Sequence, residues 1–199
     1  MKPTIPTQRE GTSYDTVSEE SFSTEKQAKA QFQISKQRLL AVNHWHEVIG
    51  SDNLQFKLID ARAEPVDRLP MVGDYIKIEI PGPTNTSGEG YDWVIIEDIV
   101  EDERVHEEFI SITIRPSANP QKKAGKEETA HFFDDAATNT FIVKRKEMKL
   151  KAEVHGRNEK PNIEGVGLID KIRNTFVAFG GILGASKLQW KSLTDGLLV

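Results

Sequence analysis

The sequence predicts an α+β fold in which a curved antiparallel sheet of about six or seven strands packs on a long C-terminal helix, with one N-terminal helix. Two patterns carry that prediction. Period-two alternation recurs in six segments between residues 56 and 155, as expected of strands with one covered face. A stripe then runs through Ile169, Ile172, Phe176, Phe179, Leu183, Trp190, Leu193 and Leu197 in steps of three, four or seven, with Ser186 filling the gap. A stripe of that length implies a helix buried against the sheet.

The elements follow in chain order. Residues 1–21 are rich in Thr, Ser, Pro and Glu, with only Ile5, Tyr14 and Val17 as apolar anchors. They are read as a flexible arm, and residues 22–199 as a single α+β domain. Ser23 or Thr24 supplies a helix cap, with Glu25 and Gln27 close behind. Ala28, Phe32, Ser35, Leu39 and Val42 then mark an amphipathic helix that ends before Gly50.

The period changes after Gly50. Phe56, Leu58 and Asp60 alternate with Lys57 and Ile59, and Ile76, Ile78 and Ile80 with Tyr75, Lys77 and Glu79. Trp93 to Val100 is β-rich with apolar residues on both faces. Ile110, Ile112 and Ile114 alternate with Ser111, Thr113 and Arg115. Phe141 and Val143 form a strand, and Met148, Leu150, Ala152 and Val154 alternate with Lys149, Lys151, Glu153 and His155. The connections suit hairpins and are too short for crossover helices. Two are longer, the Pro- and Gly-rich loop 81–90 and the lysine-bearing loop 116–128. Gly180, Gly181 and Gly184 weaken the final helix and predict a bend in it.

Composition narrows the chemistry. The 199 residues carry 31 acidic and 26 basic side chains and no cysteine. Disulfides, thiol chemistry and Cys-ligated metals are thereby excluded. The formal charge of −5 argues against nucleic-acid binding, which draws on clustered Lys and Arg. The N-terminal residues hold no apolar run of signal-peptide type. The stretch from Thr175 to Ala185 is far shorter than a membrane span. No membrane association is expected, and the cytoplasm is the expected compartment.

Five polar clusters invite a functional reading. His44 and His46 lie two apart and so diverge on a helix; with no H-E-x-x-H spacing, no metal site is predicted. Asp134 and Asp135 are adjacent, which points them apart on an extended chain, so they are read as capping a turn. Lys144, Arg145, Lys146, Lys149 and Lys151 form a basic run, and residues 97–108 an acidic one. Both are read as solvated hairpins, with an interstrand match between them open. His155, Arg157 and Asn158 lie between the last strand and the final helix, where a loop can approach a cavity mouth. Arg157 suits a carboxylate or phosphate there, or a structural pair with Glu159 or Asp170. Neither a phosphate loop nor a nucleophile elbow is present, and no cofactor is predicted.

The order of elements, a helix with a late tryptophan (Asn43-His44-Trp45-His46), many antiparallel strands and an apolar-striped final helix, resembles the helix-grip, or START-like, superfamily. The resemblance covers about residues 22–198, rests on element order, and brings no catalytic residue with it. Such folds open with a strand, for which only Tyr14 to Phe22 is available, and their first helical region is a pair of short helices. It implies a cavity between sheet and final helix that often holds apolar molecules. The leading expectation is non-catalytic binding of a small, largely apolar molecule. Phe176, Phe179 and Trp190, with Ile78, Ile95 and Ile112, would line the wall, and His155, Arg157 and Asn158 the mouth. The alternatives are an interaction domain presenting charged hairpins and a cavity enzyme, a lyase or cyclase, with His155 as base.

Overall fold

A computed structural model of the chain describes residues 3–52, 54–79, 88–122, 129–162 and 188–199. Seven strands form one curved sheet: β1 (Thr12–Ser21), β2 (Gln55–Ile59), β3 (Tyr75–Glu79), β4 (Asp92–Glu103), β5 (Glu107–Pro116), β6 (Thr138–Lys146) and β7 (Lys149–Glu159). Their order is β1-β7-β6-β5-β4-β3-β2, and every neighbouring pair is antiparallel. The sequence reading of residues 1–21 as one flexible arm is corrected here. β1 pairs along β7 from Thr12 to Ser21, and the backbone hydrogen bonds outweigh its polar composition.

The N-terminal helical region divides at Ala41. Helix α1 (Glu25–Leu40) begins at Thr24, whose Oγ1 accepts from Gln27 N at 3.2 Å. A 3-10 turn (Val42–His44) leads into α2 (Trp45–Ile49), which stops at Gly50 in the left-handed region. Trp45 seals the break, because its indole N–H donates to the Leu39 carbonyl at 3.0 Å while its ring is wholly buried. The described part of the C-terminal helix, α3, covers residues 188–198. Its stripe of Trp190, Leu193 and Leu197 faces inward as predicted. Ile169, Ile172, Phe176, Phe179 and Leu183, and the predicted bend at Gly180–Gly184, lie outside the described residues.

The helices and the inner face of the sheet enclose one main core. Phe56, Leu58, Ile76, Ile78, Val94, Ile96, Ile110, Ile112, Ile114, Phe141, Val143, Leu150, Ala152 and Val154 all point into it. The alternation read from the sequence assigns these residues to the covered face, except Val94 and Ile96, whose strand is apolar on both faces; Met148, which the same alternation places with Leu150, is exposed at the β6–β7 turn. Trp45, Phe56, Phe141 and Trp190 meet at ring separations of 4.9–5.4 Å, joining α2, β2, β6 and α3. α3 sits close against α2, where a Cβ on Gly196 would come within 2.0 Å of the Val48 carbonyl oxygen. The carbonyls at its C-terminal end are satisfied from α1: Arg38 donates to Gly196 O at 3.0 Å, and Gln31 to Leu198 O at 2.9 Å.

A cluster of charged groups enters this interior. Arg145 belongs to the basic run, yet period two turns it inward between the outward Lys144 and Lys146, and it is fully buried. It donates to Glu108 at 2.6 Å and Glu25 at 3.0 Å. Burial disfavours its charge, and the two carboxylates more than offset that, holding its pKa above the ordinary value. The basic and acidic runs do match across strands, at this buried position.

Candidate functional site

An apolar cleft opens between α3 and one end of the sheet, diagonal to the Arg145 cluster. The ends of β2 to β6 supply Leu54, Phe56, Ile78, Val94, Ile114, Pro116 and Asn139, and α3 supplies Gln189 and Trp190. The segment His131–Phe133 forms the remaining described wall. That segment is irregular and is pinned by its neighbours: Asn162 Nδ2 donates to the Thr129 and His131 carbonyls at 2.9 and 3.1 Å, and Phe133 bridges Pro161. The three rings of His131, Phe132 and Phe133 lie 4.3–5.6 Å apart. The cleft has a volume of about 30 Å³, room for one water-sized group.

Its described polar lining residues are His131, Asn139 and Gln189. His131 Nδ1 accepts the Phe133 N–H at 2.9 Å, so the neutral ring carries its proton on Nε2. Burial pushes the His131 pKa down, against a smaller upward pull from Asp92, which keeps the imidazole neutral. Among the described residues, Nε2 has no hydrogen-bond partner. The buried Tyr14 hydroxyl donates to Asn139 Oδ1 at 2.7 Å and also interacts with the Trp190 side chain. Burial and the nearby Glu159 raise the Tyr14 pKa well above its ordinary value, so the phenol stays protonated. Among the described residues the lining carries no charged side chain.

The residues proposed from sequence divide between three places. Trp190 lines the cleft, while Phe176 and Phe179 lie outside the described residues. Of the strand positions, Ile78 lines the cleft and Ile112 is buried in the core, but Ile95 pairs with Tyr75 and Arg115 away from that core. His155 and Arg157 lie on the outer, convex face, because Val154 and Gly156 take the inward positions of β7. His155 Nδ1 meets Asp15 Oδ1 at 2.7 Å and Nε2 meets Glu153 Oε2 at 3.1 Å. With both nitrogens so engaged, neither is disposed to take a proton from a molecule in the cleft. Arg157 pairs with the same Asp15 oxygen at 2.7 Å; of the partners proposed from sequence, Asp170 lies outside the described residues.

Asn158 has a different task. Its φ of 56° lies in the left-handed region, and its side chain ties down the arm. Oδ1 accepts from Arg9 N at 2.7 Å and Glu10 N at 3.2 Å, and Nδ2 donates to Thr7 O at 3.2 Å. Asp134 caps a turn, as predicted, through Ala136 N at 3.1 Å. His44 is exposed and pairs with Glu47 at 2.9 Å. The cleft residues missed from sequence include His131, Phe132, Phe133 and Asn139. The aromatic triplet was visible as a triplet, but its contact with Trp190's surroundings depends on a non-local loop.

A helical pair between β1 and β2, a curved seven-stranded antiparallel sheet and a C-terminal helix on its inner face define the helix-grip fold. Among solved structures, a hypothetical protein of Helicobacter pylori shares this architecture at a TM-score of 0.55 and 9% identity, covering 100% of this chain and 98% of its own. Ara h 8.0201 superposes at a TM-score of 0.36 and 13% identity, over 94% of this chain and 99% of its own. A truncated norcoclaurine synthase of Thalictrum flavum superposes at 0.35 and 10% identity, over 89% and 98%. No family model matches the sequence, and no curated protein matches it. At these identities the likeness concerns the fold alone.

Proposed function

We propose that the protein binds a small, uncharged, largely apolar molecule in the cleft beside Trp190, without catalysing a reaction on it. The observation that carries this reading is the lining: aliphatic and aromatic side chains, no described charge, and a neutral His131 whose Nε2–H has no partner among the described residues. An apolar wall with few convergent polar groups is the usual composition of a small-molecule site. His131 would donate to a carbonyl or similar acceptor on the ligand, and an ionised ligand would be disfavoured by desolvation. The cleft's 30 Å³ is below the several hundred Å³ of a drug-sized site. Binding therefore requires Trp190 or Phe132 to move aside, which their partial exposure permits.

Native mass spectrometry before and after denaturation tests the proposal, together with titration of the intact protein by the neutral probe Nile red. The expected result is an adduct lost on denaturation, and Nile red binding that quenches tryptophan fluorescence. A bare mass with no response to Nile red would overturn it. The small interior volume favours a second reading, an interaction domain with a filled core and charged hairpins, and that outcome would support it.

A further inference from the structure

The convex face holds a larger space than the cleft. A groove of about 460 Å³ runs between the β6–β7 hairpin and the N-terminal arm, bordered by Pro3 and Ile5 on one side and by Ile142 and Lys144–Lys151 on the other. That volume falls within the range of small-molecule sites. We infer that this groove binds an amphipathic monocarboxylate of fatty-acid type, with its head at the hairpin and its chain beneath the arm.

The register supplies the argument. On the outward face Lys144 stands opposite Lys151, and Lys146 opposite Lys149. Like charges directly opposed destabilise a strand pair, so two consecutive rungs of this kind need anions around them. Glu19 pairs with Lys149 at 3.2 Å and Lys151 at 2.5 Å, and Glu153 pairs with Lys144 at 2.8 Å. Lys146 has no carboxylate partner among the described residues, although Glu107 stands across from it in β5. One ammonium at the hairpin end is thus left for an incoming anion.

Polarity changes along the groove. One rung beyond the lysines, Ile142 faces the same way, and although it is on the outer face it is fully buried. Ile5 and Pro3 are partly buried opposite it. A ligand filling the groove would place a negative head at Lys146 and Lys149 and apolar atoms against Ile142 and Ile5. Glu107 and Glu147 also edge the space, which favours one negative charge over a polyanion such as a phosphate ester. Asn158 holds the arm that forms the second wall, through three hydrogen bonds to residues 7–10. The site is separate from the cleft, since the sheet lies between them.

The test is a titration of the full chain with decanoate, and with decyltrimethylammonium as the cationic control, followed by amide resonances in two-dimensional NMR. Decanoate should shift resonances of Ile5, Ile142 and Lys146–Lys149. Its affinity should fall about tenfold or more in Lys146→Glu and again in Ile5→Asp, positions outside the main core. The control should leave those resonances in place. Shifts confined to Trp190 and residues 131–133, wild-type affinity in both variants, or equal binding of the cation would each overturn the inference. The first of these outcomes would leave the cleft proposal intact.

Discussion

The two faces of the sheet are built from the same strands and held by different physics. On the inner face of β6 and β7, Phe141, Val143, Ala152 and Val154 are fully buried, and stability there comes from apolar area and close packing. On the outer face of the same strands, Lys144, Glu153, His155 and Arg157 form a polar layer organised by ion pairs, beside the buried Thr140 and Ile142. Close packing leaves the inner face little tolerance for a change in shape, whereas the outer one carries ion pairs that include a titratable histidine. Gly156 marks the limit of inner-face tolerance: a Cβ there would come within 2.2 Å of the Tyr14 ring.

Truncating the inner face should have the largest effect. Phe141→Ala removes a ring packed between Trp45 and Trp190, and should cost about 3–5 kcal/mol. Lys146→Ala, on the outward side of the same strand, should leave the urea midpoint unchanged. Equal losses in the two variants would contradict the division between the faces.

A smaller effect, and one confined to a pH range, is expected at His155. Burial lowers its pKa, and the carboxylates of Glu153 and Asp15 more than offset that, so the folded pKa lies above the ordinary 6.5. The imidazolium's contribution is complete below 6.5 and is lost as pH rises through the folded value. Burial opposes the charge of Asp15 and Glu153 too, but their basic partners hold both pKa values below the ordinary 3.8 and 4.5. Their contribution is present above those values and is lost as pH falls through the folded ones. The gap in urea midpoint between the wild type and His155→Gln should be widest near pH 5.5, roughly midway between these limits. It should narrow on raising the pH, and a gap independent of pH would show that the two ion pairs do not matter.

The smallest effect on global stability should come from Asn158→Gly. Glycine keeps the left-handed φ at no steric cost, so the strand end survives, but the arm loses its three side-chain hydrogen bonds. Amide exchange at Arg9 and Glu10 should accelerate while the amides of β6 keep their protection. Unchanged exchange at Arg9 and Glu10 would mean that other contacts hold the arm.

Much of the inner face was legible in the sequence, because alternation is a local property of the chain. Ile110, Ile112 and Ile114 could be assigned to one face before any partner strand was known, and so could Trp190, Leu193 and Leu197 on one helical stripe. The candidate sites were harder to read. Nothing local distinguishes an outward Arg157 from one at a cavity mouth, since the choice depends on which face Val154 and Gly156 occupy.

The sequence by itself determined the types and order of the elements after the first strand, most of the alternating faces, the inward stripe of Trp190, Leu193 and Leu197, and the absence of thiol chemistry. Each of these follows from backbone periodicity and residue chemistry within a few neighbours. Only the tertiary structure decided that residues 12–21 form an edge strand, that Arg145 is buried by Glu108 and Glu25, and that Asn158 anchors the arm. It also decided that Tyr14 bonds Asn139, which lines the cleft with Trp190. These pairings join residues about 40 to 150 positions apart, and a contact across such a distance is set by the closure of the whole sheet around its core.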